Sequence, residues 1–125
     1  MSTSRSTLWP LFSKCAAMQT NVDAVEPEQC TTMTEVRRGV DLTDDALIAL
    51  LARRFGYMDA AARIKNDRQA VRDEERKAHV IANAKTSAGN AGIPVEPIAE
   101  IWECLVEASI AYELNAWDRL NASPA

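Results

Sequence analysis

No proline stands between Pro27 and Pro94, and that gap constrains the chain more than any other feature. A β-rich fold needs turns at short intervals, with residues that suit them. The five prolines fall instead at positions 10, 27, 94, 97 and 124, and only four glycines occur. Long helices are the expected elements. From Met33 onward, Val36, Val40, Leu47, Leu50, Leu51, Met58, Ala61 and Ile64 recur at steps of three and four, one face of a helix. This first helix is expected to reach about Asn66, with a break at Asn66-Asp67-Arg68-Gln69. A second is expected from about Val71 to Ala88, stopped by Gly89-Asn90-Ala91-Gly92 ahead of Pro94. A third is expected from Val95 to Leu120, burying Ile98, Ile101, Trp102, Leu105, Ala108, Tyr112 and Ala116. The fold class is all-α: long helix, short helix, long helix.

Residues 1–32 lack a sustained period and read as a flexible N-terminal extension, leaving 33–121 as one helical domain. At 1.5 Å per residue the first helix is roughly 50 Å long. A globule of the remaining size is only about 30 Å across. One helix therefore overshoots its own domain with its apolar stripe intact, and an intertwined homodimer is the simplest cover.

Charge and cysteine usage exclude several classes. A net charge of −4 argues against nucleic-acid binding. No apolar run is long enough for a membrane span, and Pro10 and Lys14 interrupt what could resemble a secretory signal. Cys15, Cys30 and Cys104 are odd in number without paired spacing, so neither a disulfide framework nor a metal site is expected. A cytoplasmic location follows as the expectation.

Polar residues interrupt the apolar stripes at telling places. Arg54 lies four residues after Leu50 and four before Met58; Lys65, eleven residues on, points within about 20° of it at 100° per residue. On the third helix Leu105, Ser109, Glu113 and Ala116 step by four, four and three. Asp73 and Arg76 share a face with Val80 and Ala84. A buried arginine without a partner costs several kcal/mol, so such residues persist when paired or when they bind an anion. Two readings stay open at this point: an internal salt-bridge network with some snorkelling, or a cation-rich cavity for a small polyanion.

Val36-Arg37-Arg38, Leu50-Leu51-Ala52-Arg53-Arg54, Ala62-Arg63-Ile64-Lys65, Val71-Arg72-Asp73-Glu74-Glu75-Arg76 and Ser109-Ile110-Ala111-Tyr112-Glu113 form an ordered set. Over about residues 33–120 this set resembles the all-α (AroQ-class) chorismate mutases. The resemblance implies conversion of chorismate to prephenate, an intramolecular Claisen rearrangement that needs no metal or cofactor. It needs cations to hold two carboxylates in the reactive geometry and donors for an ether oxygen that gains negative charge. By resemblance, Arg37 grips a carboxylate in the partner subunit's site, although adjacent Arg38 leaves a one-residue slip open. Arg54 binds a carboxylate, and Lys65 meets both a carboxylate and the ether oxygen. The backbone amide of Asp73 meets the ring hydroxyl, Arg76 lines that wall, and Ser109 lies near the ring carboxylate. Glu113 stands where many bacterial members have glutamine, the second donor to the ether oxygen. Lys77 departs from the glutamate that often holds the substrate hydroxyl.

An isochorismate-pyruvate lyase on the same fold is the alternative, because Ile110-Ala111-Tyr112-Glu113-Leu114-Asn115-Ala116-Trp117 is similar to that branch. A non-enzymatic helical dimerisation module is the third. His79 reads as solvent-facing, Cys104 as a partly buried inert thiol, and Trp102 and Trp117 as packing anchors. A carboxyl at position 113 donates only when protonated. Mutase activity is therefore expected to be higher at mildly acidic than at neutral pH, and Glu113→Gln is expected to gain at neutral pH. Steady-state rates across pH check this; a flat wild-type profile with no gain in the variant would refute it.

Overall fold

The computed structural model describes residues 24–122, so most of the expected extension, including Cys15, lies outside the described residues. Three α-helices make up most of the described chain: α1 (Met33–Ile64), α2 (Glu74–Ala91) and α3 (Val95–Leu120). No strand occurs among the described residues. The all-α, long–short–long order is as the sequence implies. The chain divides into two units, one ending at Arg53 and one beginning at Arg54.

In the first unit a short 3-10 turn, Pro27–Gln29, precedes α1. The start of α1 is fixed by a reciprocal cap. Thr32 Oγ1 accepts from Glu35 N–H at 3.1 Å, while Glu35 Oε1 accepts from the Thr31 and Thr32 amides at 2.8 and 3.2 Å. This is a capping box, Thr-x-x-Glu, which satisfies donors that a helix start leaves without partners. The Thr31 amide is the main reason the Glu35 carboxyl is held below its ordinary range. The apolar stripe that follows is not buried within the chain: Met33, Val40, Leu47 and Leu50 are each more than half exposed. In all of α1 only Ala62 is buried.

The second unit holds the last turns of α1, the connector and the α2–α3 hairpin. The ion pairs Lys85–Glu96, Lys77–Glu103 and Arg72–Glu107 descend α2 to the connector before it while ascending α3, so the two helices run antiparallel. Val71, Val106 and Ile110 form the buried core, with Val80, Ile81, Trp102, Leu114 and Trp117 packed around it. Ala84, Ala88 and Ala116 are also buried, and their small side chains permit close packing.

Three expectations need correction. First, α2 runs from Glu74 to Ala91 rather than from Val71 to Ala88. Asp73 takes the N-cap position and its side chain accepts from Arg76 N–H at 3.0 Å, which leaves Val71 in the connector as a core plug. The helix passes through Gly89 and stops at Gly92, whose φ of 77° is the left-handed conformation that glycine adopts freely. Second, α3 buries Val106, Ser109, Ile110, Glu113 and Ala116, whereas Ile101, Ala108 and Tyr112 are exposed. The helix is apolar on more than one side, so periodicity alone selected a neighbouring stripe. Third, Cys104 is exposed, not partly buried.

The two glycines at the end of α2 should respond oppositely to alanine. Gly92→Ala places a Cβ in the left-handed region and should cost about 1–2 kcal/mol. Gly89 is helical and a Cβ there meets Val95 Cγ2 at an ordinary 3.9 Å, so Gly89→Ala should gain about 0.5–1 kcal/mol. Urea unfolding of the two variants checks this; equal effects would contradict the placement of the stop.

Candidate active site

The second unit encloses a cavity of about 390 Å³. Arg54 and Lys65 reach it from α1 and its end, Asp73 and Arg76 from the start of α2, and Ser109 and Glu113 from α3. The remaining wall is mainly apolar, including Met58, Val71, Val80, Val106 and Ile110. Six of the seven residues singled out from the sequence thus meet in one place. The seventh, Arg37, is exposed on the first half of α1 and does not line this cavity.

Local structure explains each placement. Ser109 sits mid-helix, where its hydroxyl bonds back to the Leu105 carbonyl at 2.7 Å. That orients its oxygen as an acceptor for the Arg54 guanidinium, at 2.6 Å. One turn further, Glu113 is 4% exposed and its Oε2 lies 2.8 Å from Lys65 Nζ. The contact is an ion pair without hydrogen-bond alignment, and Glu113 Oε2 accepts no hydrogen bond. Asp73 is exposed, and its carboxylate caps α2.

The charges fall into two groups. On the rim, Lys77 Nζ contacts Glu103 at 2.8 Å and Glu107 at 2.6 Å, and Arg72 bridges Glu107 and Glu74. Lys77 lines the cavity, but carboxylates of α3 hold it. Arg54, half-buried, donates to a neutral hydroxyl and forms no ion pair among the described residues; nor does Arg76, which lines the cavity but is exposed. Burial chiefly, and then the charge of Arg76, lowers the Arg54 pKa. Two guanidiniums that repel each other in a concave, largely apolar site suit an anion. The salt-bridge reading therefore holds for Lys65 and not for Arg54.

Other features carry no chemistry here. His79 is exposed. Among the described residues no cluster of His, Cys, Asp or Glu could hold a metal ion. The rim network was not foreseen in the sequence, although Glu103 and Glu107 stand one turn apart on α3 and could have signalled it. The bond from Trp117 Nε1 to the Lys65 carbonyl, at 3.1 Å, left no such signal.

Residues 36–114 match the model for chorismate mutase type II, and the chain belongs to that family. Among curated relatives, the isochorismate pyruvate lyase of Pseudomonas aeruginosa is 26% identical over 91 residues, covering 73% of this chain and 90% of the relative.

The rim network has a pH signature. Hydrogen bonds from Arg72 first, then Lys77, bring the Glu107 carboxyl down to about 2 from an ordinary 4.5. A carboxylate depressed in the folded state stabilises it above the unfolded value and loses that effect as pH falls toward the folded value. The stability difference between wild type and Glu107→Gln should be largest above pH 4.5 and should shrink toward pH 2. Denaturation midpoints across this range measure it; a constant difference would refute the assignment.

Proposed function

We propose that the cavity binds chorismate and rearranges it to prephenate. The observation that carries this reading is a pair of guanidiniums, Arg54 and Arg76, without carboxylate partners among the described residues, in a cavity that also contains Lys65. The reaction breaks the ether C–O bond while a C–C bond forms within the same molecule. Its demands are a fixed geometry and donors where negative charge develops on the ether oxygen. Arg54 would hold one carboxylate. Lys65 would turn from Glu113 toward the other carboxylate and the ether oxygen. Protonated Glu113 would give the second donor, Asp73 would offer its backbone amide to the ring hydroxyl, and Arg76 and Ser109 would complete the wall.

The remaining carboxylate contact would come from Arg37 of a second copy. The exposed stripe of Met33, Val40, Leu47 and Leu50 supports a homodimer, since a row of apolar residues along a long helix calls for a partner. Prephenate formation would place the protein in aromatic amino acid synthesis by the shikimate route, in the cytoplasm. No described helix is long and apolar enough to cross a membrane.

A second reading is an isochorismate-pyruvate lyase, favoured by the name of the Pseudomonas relative and by the similarity of Ile110–Trp117. There the ether bond breaks, one ring hydrogen ends on the pyruvate methyl group, and the ring becomes salicylate. The same anion-holding groups would serve it. Incubation with chorismate and, separately, isochorismate, followed by chromatography, decides between them: prephenate supports the mutase, salicylate the lyase. Unchanged substrates would refute both and leave a helical dimerisation module. Arg54→Ala should abolish turnover while keeping the helical circular dichroism; loss of the fold would return Arg54 to a purely structural role.

A further inference from the structure

Lys65 is the first residue beyond α1, where a helix leaves carbonyls without intrahelical partners. Its carbonyl accepts the indole N–H of Trp117 at 3.1 Å, in a partly buried setting. Trp117 stands one turn beyond Glu113 on α3 and packs on the Val71, Val106 and Ile110 core. The Lys65 backbone and the carboxylate facing its ammonium are thus tied to consecutive turns of one helix. A second tie follows: Arg68 Nε and Nη2 bond the two carboxylate oxygens of Asp118 at 2.8 and 3.1 Å. Both partners of that pair are about half exposed, so water and salt weaken it. The sheltered indole bond is the stronger tie.

We propose that Trp117 is a positioning residue for Lys65. Its N–H holds the end of α1 so that the ammonium stands over Glu113 and the cavity instead of following a fraying helix end. This role rests on the reading of the cavity as a site for a chorismate-type dicarboxylate. A displacement near 1 Å can cost as much as about a hundredfold in rate, and loss of one tether should cost part of that. Trp117→Phe, which keeps a smaller aromatic ring and removes the N–H, should lower kcat roughly tenfold with little change in KM, because the missing precision matters most in the transition state.

The test pairs kinetics with a signal that needs no turnover. In protein labelled with 15N-lysine, the side-chain nitrogen resonance of Lys65 is identified by its absence in Lys65→Met. It should move toward the position of exposed lysines in Trp117→Phe. Adding Trp117→Phe to Lys65→Met should cause no further loss of kcat, whereas a general structural role would add a second loss. Asp118→Asn should change kcat less than twofold; a loss equal to that of Trp117→Phe would overturn the assignment to the indole. A folded Trp117→Phe protein with unmoved resonance and unchanged kcat would also overturn it. If Trp117→Phe does not fold, benzothienylalanine at position 117, with sulfur in place of the N–H, gives the same outcomes. If the wild type converts neither chorismate nor isochorismate, the functional reading fails and the resonance alone decides the role of Trp117.

Discussion

The ion pair between Lys65 and Glu113 sets the terms for the rest of the second unit. Glu113 is almost wholly buried, and removing a carboxylate from water costs several kcal/mol unless a partner compensates. Lys65 compensates from one side and keeps 29% of its side chain exposed. The end of α1 must therefore come to α3 at one height, and the connector must then turn within a few residues to start α2. Asp67 makes that turn by accepting from Gln69 N–H, and Asp73 starts the helix. Val71, between them, seals the core below the cavity. One electrostatic requirement thus fixes a helix end, a turn and a helix start.

Charges in this unit serve different purposes according to their exposure. The rim network of Arg72, Glu74, Lys77, Glu103 and Glu107 lies near solvent, where water and salt screen each pair and leave it a small contribution. It brings the first turn of α2 against the middle of α3 and so sets the wall of the cavity. Arg54 is different. Its partner is a serine hydroxyl already committed to a backbone carbonyl, an arrangement that orients the guanidinium without neutralising it. Neutral orientation of a charge preserves its attraction for an incoming anion, which a carboxylate partner would have spent.

How much of this was legible depends on which physical signal each residue carries. Arg54, Lys65, Ser109 and Glu113 were visible because a polar group at an apolar position breaks a periodic pattern. Helices α1 and α2 were visible because proline is absent over a long span, and α3 because apolar residues recur at helical steps after Pro97. The start of α2 was not, since Val71 fits the helical period while the decisive group is the carboxylate of Asp73, a local capping choice. The buried side of α3 was misplaced because apolar residues cover more than one face, and only packing against α1 and α2 selects among them. The Trp117 tether joins residues distant in sequence through a backbone carbonyl, and no residue type at Lys65 announces that.

The capping box at the start of α1 has a consequence for Arg37. Thr32 and Glu35 lock the first turn of the helix, and Arg37 lies within the turn that follows. The backbone that carries Arg37 therefore stands one turn from a capped end and not from a fraying one. Two small threonines and a glutamate thus hold the base of a long, exposed cation in place.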